Sequence, residues 1–90
     1  MNQTIWKYKL EIVDEQFIEI PFGYNSKLLS VAMQDERLCL WAIVEPEKDT
    51  KTAQIRIFGT GNPHYSGSLE FLGTVQEQFF VWHVFGGIIK

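Results

Sequence analysis

The stretch Arg37-Leu38-Cys39-Leu40-Trp41-Ala42-Ile43-Val44 decides the fold of this 90-residue chain. Side chains of a strand alternate between its two faces. Leu38, Leu40, Ala42 and Val44 therefore share one face, while Cys39, Trp41 and Ile43 share the other. A strand apolar on both sides needs cover on both sides. Phe79-Phe80-Val81-Trp82-His83-Val84-Phe85 repeats the pattern later in the chain.

Moving back from that stretch, Asp35-Glu36 reads as a turn to a strand over Leu28 to Gln34, and Pro21 to Ser26 is turn chemistry. Trp6, Tyr8, Leu10 and Ile12 oppose Lys7, Lys9 and Glu11, the signature of an edge strand with a solvated face. Asp14-Glu15 turns it into a short strand over Phe17 to Ile20. Moving forward, Glu45 to Thr50 reads as a solvated loop, followed by a strand over Thr52 to Phe58. Gly59-Thr60-Gly61-Asn62-Pro63 breaks that strand, and His64 to Ser68 continue the loop. Leu69 to Gln76 then pairs through Glu77-Gln78 with Phe79 to Phe85, which Gly86-Gly87 ends. The period is two almost throughout, with no helical stripe. The expectation is one all-β domain, a compact antiparallel sandwich or barrel of about seven strands.

A single cysteine, Cys39, rules out an internal disulfide, and its apolar surroundings predict a buried thiol. Two scattered histidines and one cysteine offer no zinc spacing. With neither staple available, a domain this small gains further burial by self-association. No leader pattern and no apolar run of about 18 residues is present, so the expected setting is aqueous and reducing, away from membranes. Eight basic residues against eleven acidic ones argue against binding a nucleic-acid polymer, though not against a small anion held by one or two arginines.

Catalysis finds little support. The carboxylates of Asp14, Glu15, Asp35, Glu36, Glu45, Glu47 and Asp49 sit at turns, where solvated charge belongs. His83 stands among apolar neighbours without a nucleophile motif, and reads as a hydrogen-bonded structural histidine; His64 reads as exposed. No cofactor is expected, and the chain reads as a non-enzyme.

The Gly59-Thr60-Gly61-Asn62 loop has two readings: converging N–H groups that hold an anion, or an ordinary glycine-rich bend. Arg56 and Phe58 share the strand face that runs into it. On the next hairpin, Leu72, Thr74 and Gln76 form one face, and Val81, His83 and Phe85 another. Trp41 with Ile43 offers a further aromatic face. Aromatic walls with a few polar groups mark ligand pockets and subunit interfaces alike. Both readings stay open at this level.

Five segments carry a family resemblance: Ile5-Trp6-Lys7-Tyr8, Leu38-Cys39-Leu40-Trp41-Ala42, Phe58-Gly59-Thr60-Gly61-Asn62-Pro63, Phe71-Leu72-Gly73-Thr74-Val75-Gln76 and Val81-Trp82-His83-Val84-Phe85. Together they resemble small single-domain proteins of bacteriophages and prophages, over nearly the whole chain. That group is in turn similar to viral sponge proteins that sequester, without cleaving, the cyclic nucleotide signals of CBASS-type bacterial immunity. The resemblance implies a β-rich homo-oligomer, a tetramer among the options, working in the host bacterial cytoplasm with ligands bound between protomers. It would assign Trp41 and Trp82 (or Trp6) to stack on bases, and Arg56 with Thr60, Gly61 and Asn62 to hold phosphate. Gln76 and His83, or Gln34, would read base edges. The other reading of the same apolar face is a protein–protein inhibitor, or an accessory or virion protein.

Overall fold

The computed structural model describes residues 2–63 and 67–90; the expected loop positions His64 to Ser66 fall outside them. Among the described residues there are seven strands: β1 (Thr4–Leu10), β2 (Glu15–Pro21), β3 (Lys27–Gln34), β4 (Arg37–Val44), β5 (Thr50–Gly59), β6 (Glu70–Glu77) and β7 (Phe80–Ile88). They form a three-stranded sheet in the order β1-β4-β3 and a four-stranded sheet in the order β2-β5-β7-β6, antiparallel throughout. The architecture is a sandwich. Its Cα envelope of 42 × 30 × 15 Å has the thickness of two stacked sheets.

Alternation sorts the residues as the pattern requires. Leu38, Leu40, Ala42 and Val44 of β4 and Ala53, Ile55 and Ile57 of β5 point inward and are buried. Leu10, Val31, Leu72, Val75 and Val84 join Leu38, Leu40, Ile55 and Ile57 in the main core, while Ile20, Ala42, Val44 and Ala53 form a second cluster. Cys39 is buried, as its apolar run suggests. The second face of β4 points outward, with Trp41 and Ile43 half-buried. In register Trp41 lies between Lys7 of β1 and Ser30 of β3, and Ile43 lies between Ile5 and Lys27.

Asp35 and Glu36, both at positive φ (52° and 64°), make the two-residue β3–β4 turn. Backbone twist of that kind matches the twist of the strands it joins. The last hairpin turns at Gln78-Phe79, one residue later than the pattern suggests, and leaves Phe79 exposed.

Three expectations need correction. The last strand does not stop at Gly86-Gly87 but continues through them to Ile88. A Cβ on Gly86 would lie 2.8 Å from the Cδ1 atoms of both Ile55 and Leu72, so glycine there reflects a close approach in the core. Leu72 does not share the outward face of Thr74 and Gln76. A register shift between Phe71 and Gly73 turns it into the core. Glu45 is not solvated: it is 5 % exposed, and its Oε1 accepts from the Asn25 backbone N–H (2.9 Å) and the Ser26 hydroxyl (3.3 Å). It fastens the β2–β3 connection to the end of β4, and its carboxylate is buried only because those donors replace water.

The sandwich is closed on one side, where β3 packs against β6, and open on the other, where β1 and β2 are the free edges.

Candidate functional site

Strand pairing decides which candidate residues meet. In β5, Arg56 and Phe58 alternate outward with Gln54, and their partners on β7 are Phe85 and His83. β6 adds Phe71 beside Phe85, Thr74 beside His83 and Gln76 beside Val81. The outer face of the four-stranded sheet therefore carries Arg56, Thr74, Gln76 and His83 among phenylalanines. Phe58 and Phe71 each meet Phe85 edge to face, with centroids 5.8 and 5.5 Å apart. Such pairing places the positive edge of one ring against the negative face of the next.

His83 is held from both sides. Its Nε2 lies 2.7 Å from the Thr60 hydroxyl and its Nδ1 lies 3.0 Å from the Thr74 hydroxyl. Whichever tautomer is present, one ring nitrogen donates and the other accepts. His83 thus ties the Gly59–Asn62 turn to the sheet, the structural role its apolar setting predicts.

The turn is built for its place. The Asn62 N–H donates to the Gly59 carbonyl at 3.2 Å, and Gly61 sits at φ 87° with open space around it. A side chain fits that space but not that backbone. The turn separates two concavities. One, about 220 Å³, is lined by Phe58, Phe71, Phe85 and His83 together with the turn from Gly59 to Asn62. The other, about 280 Å³, lies along the part of β5 that β2 does not reach, since β2 begins opposite Arg56. Arg56, Phe58, Asn62 and Trp82 line it, with Asp14 on its rim.

Arg56 and Trp82 reach this cleft from opposite faces of the sheet. Arg56 Nε and Trp82 Nε1 are buried and have no hydrogen-bond partner among the described residues. The Arg56 guanidinium lies over the Phe58 ring, 5.3 Å from its centroid. The ion pair among the described residues is Arg37–Glu11 (3.2 Å); Arg56 makes none, although Glu15 is its register partner on β2. An unsatisfied buried donor costs about 1–3 kcal/mol.

The structure gathers Arg56, Thr60, Gly61, Asn62, His83 and Trp82 around one end of the four-stranded sheet, and separates the other two candidates. Trp41 lies on the outer face of the other sheet, across the full thickness of the sandwich. Gln76 shares the face of His83 but lies further along, where its amide donates to the Gln78 carbonyl at 3.3 Å. Trp82 is not an open stacking platform. Its ring packs on the core and stacks on Phe80 with centroids 5.7 Å apart. Sequence reasoning put Phe85 on the face of His83 but missed Phe71 as a pocket wall, although its outward parity was readable, and missed Asp14, which only the β1–β2 corner brings to the cleft.

No group of three or more metal-binding side chains converges among the described residues, and no helix is long and apolar enough to cross a membrane. No curated protein and no solved structure matches the chain. Residues 1–89 do match one family profile, and the chain belongs to that family, described as a domain of unknown function (DUF7352).

Proposed function

We propose that this protein binds a cyclic nucleotide without transforming it, and that it serves a bacteriophage by sequestering such a signal of bacterial defence. The observation that carries the reading is Arg56 at the cleft beside the Gly59–Asn62 turn, its guanidinium lying over Phe58 and in no ion pair among the described residues. Guanidinium is the side chain best suited to a phosphate oxygen. Asn62 adds an amide, and Asp14 offers an acceptor for a ribose hydroxyl or an exocyclic amine. On the other side of the turn, Phe58, Phe71 and Phe85 give the flat apolar walls on which a base stacks.

Size limits the guest. Pockets that bury a drug-sized ligand run to about 300–1,000 Å³. The two concavities here, about 280 and 220 Å³, each suit one nucleotide unit, so a cyclic dinucleotide would use both or draw on a second protomer. The Thr60 hydroxyl lies within reach of His83 Nε2, but Nδ1 meets the Thr74 hydroxyl where an activated nucleophile's histidine has a carboxylate. A sponge needs none of that chemistry.

Isothermal titration with a panel of cyclic di- and trinucleotides tests the reading, with mass spectrometry of the ligand recovered after denaturation. Tight binding and intact ligand are expected. No heat with any member of the panel, or recovery of a cleaved product, refutes it.

A second reading rests on the exposed phenylalanines. Phe71 and Phe80 are 58 % and 56 % exposed, and Phe79 almost wholly so. Apolar rings left in water, Phe71 on the outer face and Phe79 and Phe80 at the β6–β7 turn, serve equally to block a partner protein. A stoichiometric host partner lost in a Phe79→Ser, Phe80→Ser variant that still binds nucleotide would support it.

A further inference from the structure

The free edges of the two sheets lie on the same side of the sandwich, and their outward faces carry opposite charge. On β1 the outward residues are Ile5, Lys7 and Lys9; on β2 they are Glu15, Phe17 and Glu19. Both strands are seven residues long and each pairs on one side only. Ile5 (58 %) and Phe17 (54 %) are exposed on them, and Trp6 (41 %) sits at the open mouth between the sheets. An edge of this kind is a template for another strand.

We infer that the protein forms a two-fold dimer in which β1 of each protomer pairs antiparallel with β2 of the other. Two symmetric arrangements join the open sides of two sandwiches. With the axis perpendicular to the sheets, β1 meets β1 and β2 meets β2. That sets lysines against lysines and Glu15 and Glu19 against their own copies, which repel directly across a strand pair. With the axis parallel to the strands, front and back layers exchange, and β1 meets the partner's β2. In antiparallel register either Lys9 faces Glu15 or Lys7 faces Glu19 of the partner subunit, with the other charges diagonal.

The strand directions agree, because β1 runs toward the corner at residues 11–14 and β2 runs away from it. Each three-stranded sheet continues into the partner's four-stranded sheet, giving two seven-stranded layers. The contact is isologous and closes on itself, so the β1 and β2 edges are both used up. Ile5, Trp6 and Phe17 become covered. The charges on these edges thus disfavour like-with-like pairing and favour β1 against the partner's β2. The arrangement does not depend on the ligand reading.

The test is a charge swap read by sedimentation velocity, with circular dichroism to confirm the fold. All four charged positions are exposed, so the substitutions leave the core untouched. The wild-type chain is expected to be a dimer. Lys7→Glu/Lys9→Glu alone and Glu15→Lys/Glu19→Lys alone should each be monomeric. Mixed one to one, they should form a heterodimer, because one strand contact is then wild type and the other is reversed in both members. The chain carrying all four substitutions should dimerise again. A monomeric wild-type chain, a dimer indifferent to both double variants, or no heterodimer on mixing would overturn the inference.

Discussion

Arg56→Met separates a residue kept for stability from one kept for a guest. Methionine preserves much of the arginine stem and removes the charge. In the free protein the substitution loses the contact of the guanidinium with Phe58, worth about 0.5–1 kcal/mol, and removes the buried, unpartnered Nε. That orphan donor costs about 1–3 kcal/mol. The two terms leave the variant as stable as the wild type, or up to roughly 2 kcal/mol more stable. With ligand bound the sign reverses. A hydrogen bond to a charged group contributes about 1.5–3 kcal/mol, so its loss weakens binding about 10- to 150-fold. At a ligand concentration about 100 times the wild-type Kd, binding stabilises the native state by about 2.7 kcal/mol. For a domain of this size that raises Tm by roughly 11–22 °C. A variant weakened about 100-fold gains only about 0.4 kcal/mol under the same conditions, or roughly 2–3 °C. Differential scanning fluorimetry with and without the best-binding cyclic dinucleotide reads both numbers. A variant that loses stability when free, or that keeps the full ligand shift, would show that Arg56 serves the fold and not a phosphate.

Other outcomes follow from single contacts. Burial pushes the Tyr8 phenol above its ordinary value of 10.0, and its hydroxyl has no partner among the described residues. The neutral form is favoured in the native state, so its contribution to stability is full below about pH 10 and is lost as pH rises through the higher native value. Tyr8→Phe should match or exceed wild-type stability at pH 7 and remove that alkaline loss, as urea midpoints measured across pH would show. Gly86→Ala places a methyl group against Ile55 and Leu72 and should destabilise by about 1–3 kcal/mol in chemical denaturation. Glu45→Ala leaves the Asn25 N–H and the Ser26 hydroxyl without their acceptor. It should cost about 1–3 kcal/mol and make the β2–β3 connection the first site of limited proteolysis.

The division between sequence and structure can be followed along single residues. Alternation alone sent Leu38, Leu40, Ala42 and Val44 inward and Arg56 and Phe58 outward, because period two is a local property of an extended chain. Asp35-Glu36 was recognisable as a turn by composition. The limits appear where one residue changes parity or where distant strands meet. The Phe71–Gly73 register shift moves Leu72 from one face to the other, and no local signal marks it. Gly86 reads as a strand end, yet it is the point where β7 admits two core side chains. Glu45 reads as one more loop carboxylate until the chain folds Asn25 and Ser26 onto it.

By itself, then, the sequence determined an all-β domain with two-faced strands, and with them the expectation that the second face must be used. Hydrophobic periodicity suffices for that, since it depends only on neighbours in the chain. Which second face holds a site was decided by tertiary structure. Strand order put Trp41 and Arg56 on opposite sides of the sandwich, and brought Arg56, Trp82 and Asn62 to one cleft. It also left a lysine edge and a glutamate edge on the same open side. Pairing between segments far apart in the chain sets these relations, and no local pattern encodes them.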